Sequence, residues 1–181
     1  YGMGTFNLEL LCCVNVAQGW AVTGRFYGPS LAQQWQIATP QQLQQALSQV
    51  SDGQYLLLQQ QQRVEKALTR QHAEARATAL LAQGALTLSY DLRAHLSPQR
   101  QIHIANAATD LQQRLLSLCP ECATPGFWPD KAVAGLPCEA CAAPTSLTLH
   151  KVSCCQRCQF TAVQAVAAPH AQPQYCPECN P

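Results

Sequence analysis

Residues 119–141 read CPECATPGFWPDKAVAGLPCEAC, and residues 155–179 read CQRCQFTAVQAVAAPHAQPQYCPEC. Each stretch begins and ends with a Cys-x-x-Cys pair. Fifteen residues separate the two pairs of the first stretch and seventeen separate those of the second, close to the ~15–20 residues typical of a four-thiolate zinc site. The spacing predicts two zinc ions, Zn²⁺, held by eight thiolates: Cys119, Cys122, Cys138, Cys141, Cys155, Cys158, Cys176 and Cys179.

The pattern leaves open how the four pairs combine. We expect sequential sites, the first pair with the second and the third with the fourth, because zinc ribbons usually close locally. An interleaved arrangement, in which the first pair meets the third, is the alternative. Cys154 precedes Cys155 but lacks the Cys-x-x-Cys spacing to Cys158, so it is expected to be a spare. His150 and His170 are not needed once eight thiolates are counted.

Disulfides and iron–sulfur clusters are the competing explanations for eleven cysteines. A Cys-x-x-Cys pair would close a short, strained disulfide ring but suits a metal chelate, and two quartets at ribbon spacing favour zinc over iron. Reduced thiols indicate the cytoplasm. Four thiolates leave no open position for a catalytic water, so both zinc ions are predicted to be structural. Cys12 and Cys13 lie in an apolar run and are expected to be small buried hydrophobes.

Charge limits the class of partner. The 181 residues carry a net charge of +1 and only 12% are charged, without the Lys and Arg clusters that bind a polyanion. From Cys119 onward three basic residues face four acidic ones, which favours a protein partner over nucleic acid. Residues 63–114 hold seven basic and four acidic residues, so nucleic-acid binding stays a minority hypothesis. No apolar stretch approaches the ~20 residues that span a bilayer, so no membrane contact is expected.

The chain before Cys119 predicts an α+β fold from alternating strand and helix signals. The long apolar stripe of its last helix is expected to be Ile102, Ala105, Ala108, Leu111 and Leu115. The expected elements are a hairpin of strands at 6–16 and 20–26, a helix capped by Thr39 and Gln42, a strand at 55–58, a helix ending near Gly84, a strand at 85–90 and a helix from Ser97 to about Leu118.

These patterns divide the chain into a small α+β domain at 1–118 and a double zinc-ribbon module at 119–181. Within the module, a small hairpin is expected between the segments 126–128 and 135–137, and another strand at 147–152. The α+β domain begins at Tyr1 rather than Met, as a truncated or degenerate N-terminal part would.

The segment Asp91-Leu92-Arg93-Ala94-His95, followed by a helix, then Cys119-Pro120-Glu121-Cys122, and finally Cys176-Pro177-Glu178-Cys179, resembles a bacterial family of unknown function. The resemblance is strongest over residues 90–181, with only Gly4-Thr5-Phe6 similar upstream. It implies an α/β part, an Asp-x-Arg-Ala-His segment and a C-terminal double zinc ribbon. It implies no reaction.

Asp91, Arg93 and His95 are the only other constellation that suggests chemistry. On a strand the three side chains would share one face, where Arg93 could hold an anion and His95 could transfer protons. The favoured interpretation is structural, with an Asp–Arg pair joining a strand to the helix that starts at Ser97. Two functions follow: a non-enzymatic adaptor with two structural zinc ions or, as the alternative, an enzyme whose site surrounds this trio.

Overall fold

The computed structural model describes residues 6–181 and confirms the α+β fold; Gly4 and Thr5 lie outside the described residues. Short 3-10 helices span Ala94–Leu96 and Pro173–Tyr175. The remaining elements are β1 (Phe6–Asn15), β2 (Trp20–Pro29), β3 (Gln34–Ile37), α1 (Pro40–Gln49), β4 (Leu56–Gln60), β5 (Arg63–Leu68), α2 (Arg70–Leu81), β6 (Leu86–Tyr90), α3 (Pro98–Leu116), β7 (Lys131–Ala134), β8 (Thr148–Cys154) and β9 (Thr161–Ala165).

The described chain forms two compact units. The α+β unit comprises residues 6–10 and 25–108, and the cysteine unit comprises residues 11–24 and 109–181. Strands β1 and β2 and helix α3 each contribute residues to both units. The predicted domain bounds 1–118 and 119–181 remain a prediction, because compactness alone does not show which segment folds independently.

The α+β unit is built on an antiparallel sheet of order β3-β6-β4-β5. In the two central strands, β4 and β6, alternate residues are buried leucines, which is the period-2 pattern of a sheet with one covered face. Helices α1 and α2 contact the sheet. The core consists of Ile37, Leu43, Ala46, Leu47, Val50, Leu56, Leu58, Ala73, Ala77, Leu80, Leu86 and Leu88.

Helix α1 begins as its sequence predicts. The Thr39 hydroxyl accepts a hydrogen bond from the Gln42 backbone N–H, and the Gln42 side chain accepts one from the Thr39 N–H. Pro40 occupies the first turn, where no N–H is needed. This capping box satisfies backbone donors that would otherwise have no partner, so the helix start is fixed by local chemistry.

Two strands of the α+β unit, β3 and β5, were not predicted. Strand β5 occupies the start of the segment in which the helix ending near Gly84 was expected. The polar segment before β5 is a turn at Gln61, whose φ is +52°. An edge strand exposes much of its surface, so β5 lacks a clear apolar alternation. Strand β3 is only four residues long and pairs with β6.

The prediction that the apolar stripe of α3 forms its buried face is wrong. Ile102 is 60% exposed, whereas His103, Ala107 and Arg114 are buried. Arg114 fills its position by donating to the carboxylates of Asp110 and Asp130. The buried face of this helix is therefore marked partly by polar residues, which an apolar-periodicity argument overlooks.

In the cysteine unit β7, β8 and β9 form an antiparallel sheet in that order. The strand expected at 147–152 corresponds to β8. The hairpin expected between 126–128 and 135–137 is wrong, because these segments flank β7, which pairs with β8 instead.

The β1–β2 hairpin forms a separate two-stranded sheet, with Gly19 at φ +68° in its turn. Cys12 is exposed and Cys13 half-buried, so the expectation of two buried cysteines is wrong. Within residues 6–181 no helix is both long enough and apolar enough to cross a membrane. Alternate residues of β1 form an exposed apolar row: Phe6, Leu8, Leu10 and Val14.

Close packing at Gly28 gives a testable prediction for the α+β unit. A Cβ at this position would lie 2.5 Å from Cε1 and 2.6 Å from Nε2 of His103, which is buried and 5.1 Å from the Phe26 ring, centroid to centroid. We expect Gly28→Ala to lower the free energy of unfolding of the unit by about 2–3 kcal/mol, as overpacking does. Amide exchange of β6 measures this. In a protein that already carries His103→Ala, Gly28→Ala should lower the free energy of unfolding much less. If Gly28→Ala lowers this free energy equally with and without His103, the contact between the two residues is contradicted.

Candidate metal centres

The first three Cys-x-x-Cys pairs share one backbone turn. In each, the residue after the second cysteine donates its N–H to the carbonyl of the first cysteine, at 2.8, 2.9 and 3.1 Å. That residue has a positive φ: +54° at Ala123, +59° at Ala142 and +61° at Gln159. In the fourth pair Asn180 donates to the Cys176 carbonyl at 2.9 Å. The turn therefore recurs with different side chains, which indicates that its shape serves the two thiols.

The structure brings all eight predicted cysteines into two groups of four, but the sequential pairing is wrong. One group contains Cys119, Cys122, Cys155 and Cys158; the other contains Cys138, Cys141, Cys176 and Cys179. The first pair thus meets the third and the second meets the fourth. In each group the Sγ atoms all lie within 4.8 Å of one another.

Strand direction explains the interleaving. The pairs precede β7, follow β7, follow β8 and follow β9, in that order along the chain. Since β7 and β8 are antiparallel, the start of β7 lies beside the end of β8, where Lys131 is opposite Val152. Since β8 and β9 are also antiparallel, the end of β9 lies beside the start of β8, where Ala165 is opposite His150. Odd-numbered pairs therefore meet at one end of the sheet and even-numbered pairs at the other.

Additional backbone contacts fix the second group. Ala171 donates its N–H to the Pro137 carbonyl at 2.8 Å and accepts from the Glu139 N–H at 3.0 Å. Ala171 is buried. These bonds tie the chain before the fourth pair to both flanks of Cys138, so the fourth pair approaches the second without a regular strand.

The sulfur spacing fits one ion in each group. In the first group Cys119 and Cys158 are 3.6 Å apart and Cys122 and Cys155 are 3.5 Å apart, Sγ to Sγ. In the second group three Sγ–Sγ distances run from 3.5 to 3.9 Å. Tetrahedral coordination with Zn–S bonds of ~2.3 Å places sulfurs ~3.8 Å apart. All eight cysteines are free thiols, so each group could hold a metal ion.

Hydrogen bonds lower the pKa of two thiols in the first group, Cys122 and, against the effect of burial, Cys155, and of one thiol in the second group, Cys138. The Thr124 hydroxyl, 3.2 Å from the Cys122 Sγ, and the Thr124 N–H lower the pKa of Cys122 to about 6. The N–H groups of Cys141 and Ala140 lower the pKa of Cys138 to about 7. In contrast, the neighbouring Cys141 thiol and burial raise the pKa of Cys179 to about 12. A thiol with a lowered pKa is more readily deprotonated to the thiolate that a metal requires, and the other thiols of the group would release protons if a metal bound.

Burial follows position within the pairs. The first cysteine of every pair is buried: Cys119, Cys138, Cys155 and Cys176. The second is half-buried in the first pair and exposed in the other three. The buried sulfurs serve as core residues, while the exposed ones give a metal access from solvent.

The other candidate ligands lie outside both groups. Among residues 6–181, neither His150 nor His170 belongs to a cluster that could hold a metal. Cys154 also lies outside, with its Sγ 3.9 Å from the Cys155 carbonyl and the Gln159 side-chain oxygen. The cysteine unit therefore offers sulfur ligands alone.

Asp91, Arg93 and His95 do not lie on a strand. Strand β6 ends at Tyr90 because the Asp91 carboxylate turns back to accept the Arg93 N–H at 3.2 Å. The same carboxylate accepts from the Arg93 guanidinium at 2.7 and 2.9 Å and from the Ala67 N–H at 3.0 Å. His95 is exposed on the following 3-10 helix. The three side chains are not arranged as an acid–base site, and Asp91 with Arg93 forms the expected structural pair.

Asp91 should make stability depend on pH. Hydrogen bonds from the Arg93 side chain, opposed by burial and aided by the Ala67 and Arg93 N–H groups, lower the pKa of Asp91 to about 2. A lowered pKa adds stability above the ordinary value of 3.8, and this is lost as pH falls toward 2. We expect Asp91→Asn to destabilise the α+β unit by about 3 kcal/mol at pH 7.

Denaturation of both proteins between pH 7 and pH 2 measures the difference in free energy of unfolding. It should shrink below pH 4, where the wild-type carboxylate becomes protonated. A difference that stays constant over this range would contradict the assignment.

Comparison with known proteins identifies a family for the chain but no function. The family model described as a domain of unknown function (DUF6671) matches residues 34–181, reaching further upstream than the similarity at 90–181. No curated protein and no solved structure matches the chain. Because the matched region includes the four-stranded sheet and all eight paired cysteines, the chain belongs to the DUF6671 family.

Proposed function

We propose that the protein binds two structural zinc ions and acts as a non-enzymatic interaction protein. The two four-sulfur groups carry this proposal. Cys119, Cys122, Cys155 and Cys158 would hold one ion, and the remaining four paired cysteines the other. Each ion would supply cross-links between distant segments of the chain. With four thiolates per ion, no ligand position is left for a substrate.

The sulfur geometry supports zinc over an iron–sulfur cluster. Sulfurs that are 3.5–3.9 Å apart leave room for one ion between them, whereas a cluster needs space for several irons and bridging sulfides. Metal analysis of protein purified under reducing conditions should find two zinc ions per chain. One zinc per chain, or the visible absorbance of an iron–sulfur cluster, would overturn the proposal.

A protein partner is supported by the exposed apolar row of β1, formed by Phe6, Leu8, Leu10 and Val14. Exposed apolar patches of this kind often mark protein contacts, and within residues 6–181 β1 pairs with β2 alone. A photo-crosslinking residue at Leu8 should give discrete protein adducts in cells. The same residue at Gln41, exposed on α1, should not. Equal adducts at both positions would contradict a partner surface on β1.

Nucleic-acid binding is the weaker alternative. The acidic balance after Cys119 disfavours it, and several basic side chains of residues 63–114 are neutralised within the protein, including Arg76 by Glu65 and Arg114 by two aspartates. A gel shift with RNA and DNA at low salt tests this alternative. Salt-sensitive retardation would favour nucleic acid, and its absence would support the protein-interaction proposal.

A further inference from the structure

A basic cavity of about 370 Å³ lies in the α+β unit, beside the end of β6. Its charged lining consists of Lys66, Arg93 and Arg100 with one carboxylate, Asp91. Glu9, which lies outside the lining, pairs with Arg100, so the five charged groups together carry a net charge of +1. Asp91 is buried and already accepts four hydrogen-bond donors from Ala67 and Arg93. Each arginine is therefore paired with an acid, and the net positive charge is that of Lys66.

Both arginines are held in place by acids. Arg93 donates through Nε and Nη2 to Asp91. Arg100 donates through Nε to Glu9 at 2.8 Å and through Nη1 to the Leu92 carbonyl at 2.7 Å. Glu9 is itself buried. A fixed guanidinium loses little rotamer entropy when it binds a ligand, which favours affinity.

Donors remain after these contacts. Within residues 6–181, Arg93 Nη1 and Arg100 Nη2 have no hydrogen-bond partner, and Lys66 has no ion pair. The side chains of Arg93 and Arg100 are 45% and 37% exposed. Guanidinium and ammonium donors around one cavity are the groups that proteins use to bind phosphate oxygens.

The rest of the lining is apolar and rigid. Leu57, Leu92 and Tyr90 complete it. The Tyr90 ring packs edge-on against Trp35 at 5.5 Å, and its hydroxyl oxygen accepts the Ser51 N–H at 3.2 Å. Inorganic phosphate would leave this surface uncovered, whereas a phosphate attached to a carbon group would cover it.

From these observations we infer that the cavity binds a small phosphate monoester. Its phosphate would contact Lys66, Arg93 and Arg100, and its carbon group would contact Leu57 and Leu92. A phosphate monoester has three strong acceptor oxygens, one for each of the three donor groups, whereas a carboxylate has only two oxygens. The site is distinct from the cysteine groups and does not depend on the proposed zinc function.

Phenyl phosphate is a suitable probe, titrated calorimetrically into the full-length, metal-loaded protein at low salt. We expect saturable binding of one molecule per chain, tighter than inorganic phosphate and tighter than benzoate. Lys66→Glu should weaken binding at least tenfold, since it removes one of the three donor groups and places a negative charge beside the phosphate. Lys66 is exposed and has no ion-pair partner among the described residues, so this variant should fold normally.

Lys131→Glu, which makes the same charge change on exposed β7, is the matched control and should bind as the wild type does. Three results would overturn the inference. These are no saturable binding in the millimolar range, equal loss in both variants, or inorganic phosphate binding as tightly as phenyl phosphate.

Discussion

Replacing Cys119 and Cys155 together with serine should reduce the zinc content from two ions per chain to one. These two cysteines belong to the same group, although 35 residues lie between them along the chain. A serine hydroxyl does not replace a thiolate as a zinc ligand at neutral pH. The group therefore keeps two sulfurs, while the group around Cys138 keeps all four.

A second pair of substitutions makes the test decisive. Cys119→Ser with Cys138→Ser removes one ligand from each group, so metal content should fall below one ion per chain. Sequential pairing predicts the reverse, with this variant keeping one ion and the Cys119–Cys155 variant losing both. Metal analysis with native mass spectrometry distinguishes the two patterns. Cys154→Ser, outside both groups, should keep two ions.

The interleaved pairing illustrates what the sequence could and could not predict. The eight candidate cysteines could be selected from their spacing, because Cys-x-x-Cys turns are local. Pairing depends on which ends of β7, β8 and β9 lie together, and those strands are short and weakly apolar. If β7, β8 and β9 had all been predicted as antiparallel strands after the first Cys-x-x-Cys pair, the interleaved pairing would have followed from the strand directions. Only β8 was predicted as a strand.

In the α+β unit, too, local features were predictable and contacts between distant segments were not. The start of α1 was predictable because Thr39, Pro40 and Gln42 act within one turn. The end of β6 was not, because it depends on the Asp91 carboxylate accepting the Ala67 N–H from a different strand. The basic cavity likewise combines Lys66 and Arg100 with Arg93, and no local motif links the three. Sequence patterns therefore predicted local structure, whereas contacts between segments that are distant in the sequence could be identified only in the folded structure.

Removing zinc with a strong chelator under reducing conditions should unfold the cysteine unit and leave the α+β core folded. Of the buried apolar residues in the cysteine unit, only Val22, Leu136 and Ala171 are not cysteines. Structural zinc contributes ~10–16 kcal/mol per site, which is as large as the whole stability of a typical domain. The α+β core, in contrast, contains no cysteine.

Amide exchange resolves the two units within one protein. After chelation the β8 and β9 amides should exchange rapidly, whereas those of β4 and β6, whose leucines are buried, should stay protected. Added Zn²⁺ should restore protection and Mg²⁺, which prefers oxygen ligands, should not. Continued protection of β8 without metal would contradict a structural role for the ions. Loss of protection in β6 would show that the α+β core depends on them, because its apolar contacts alone would then be insufficient.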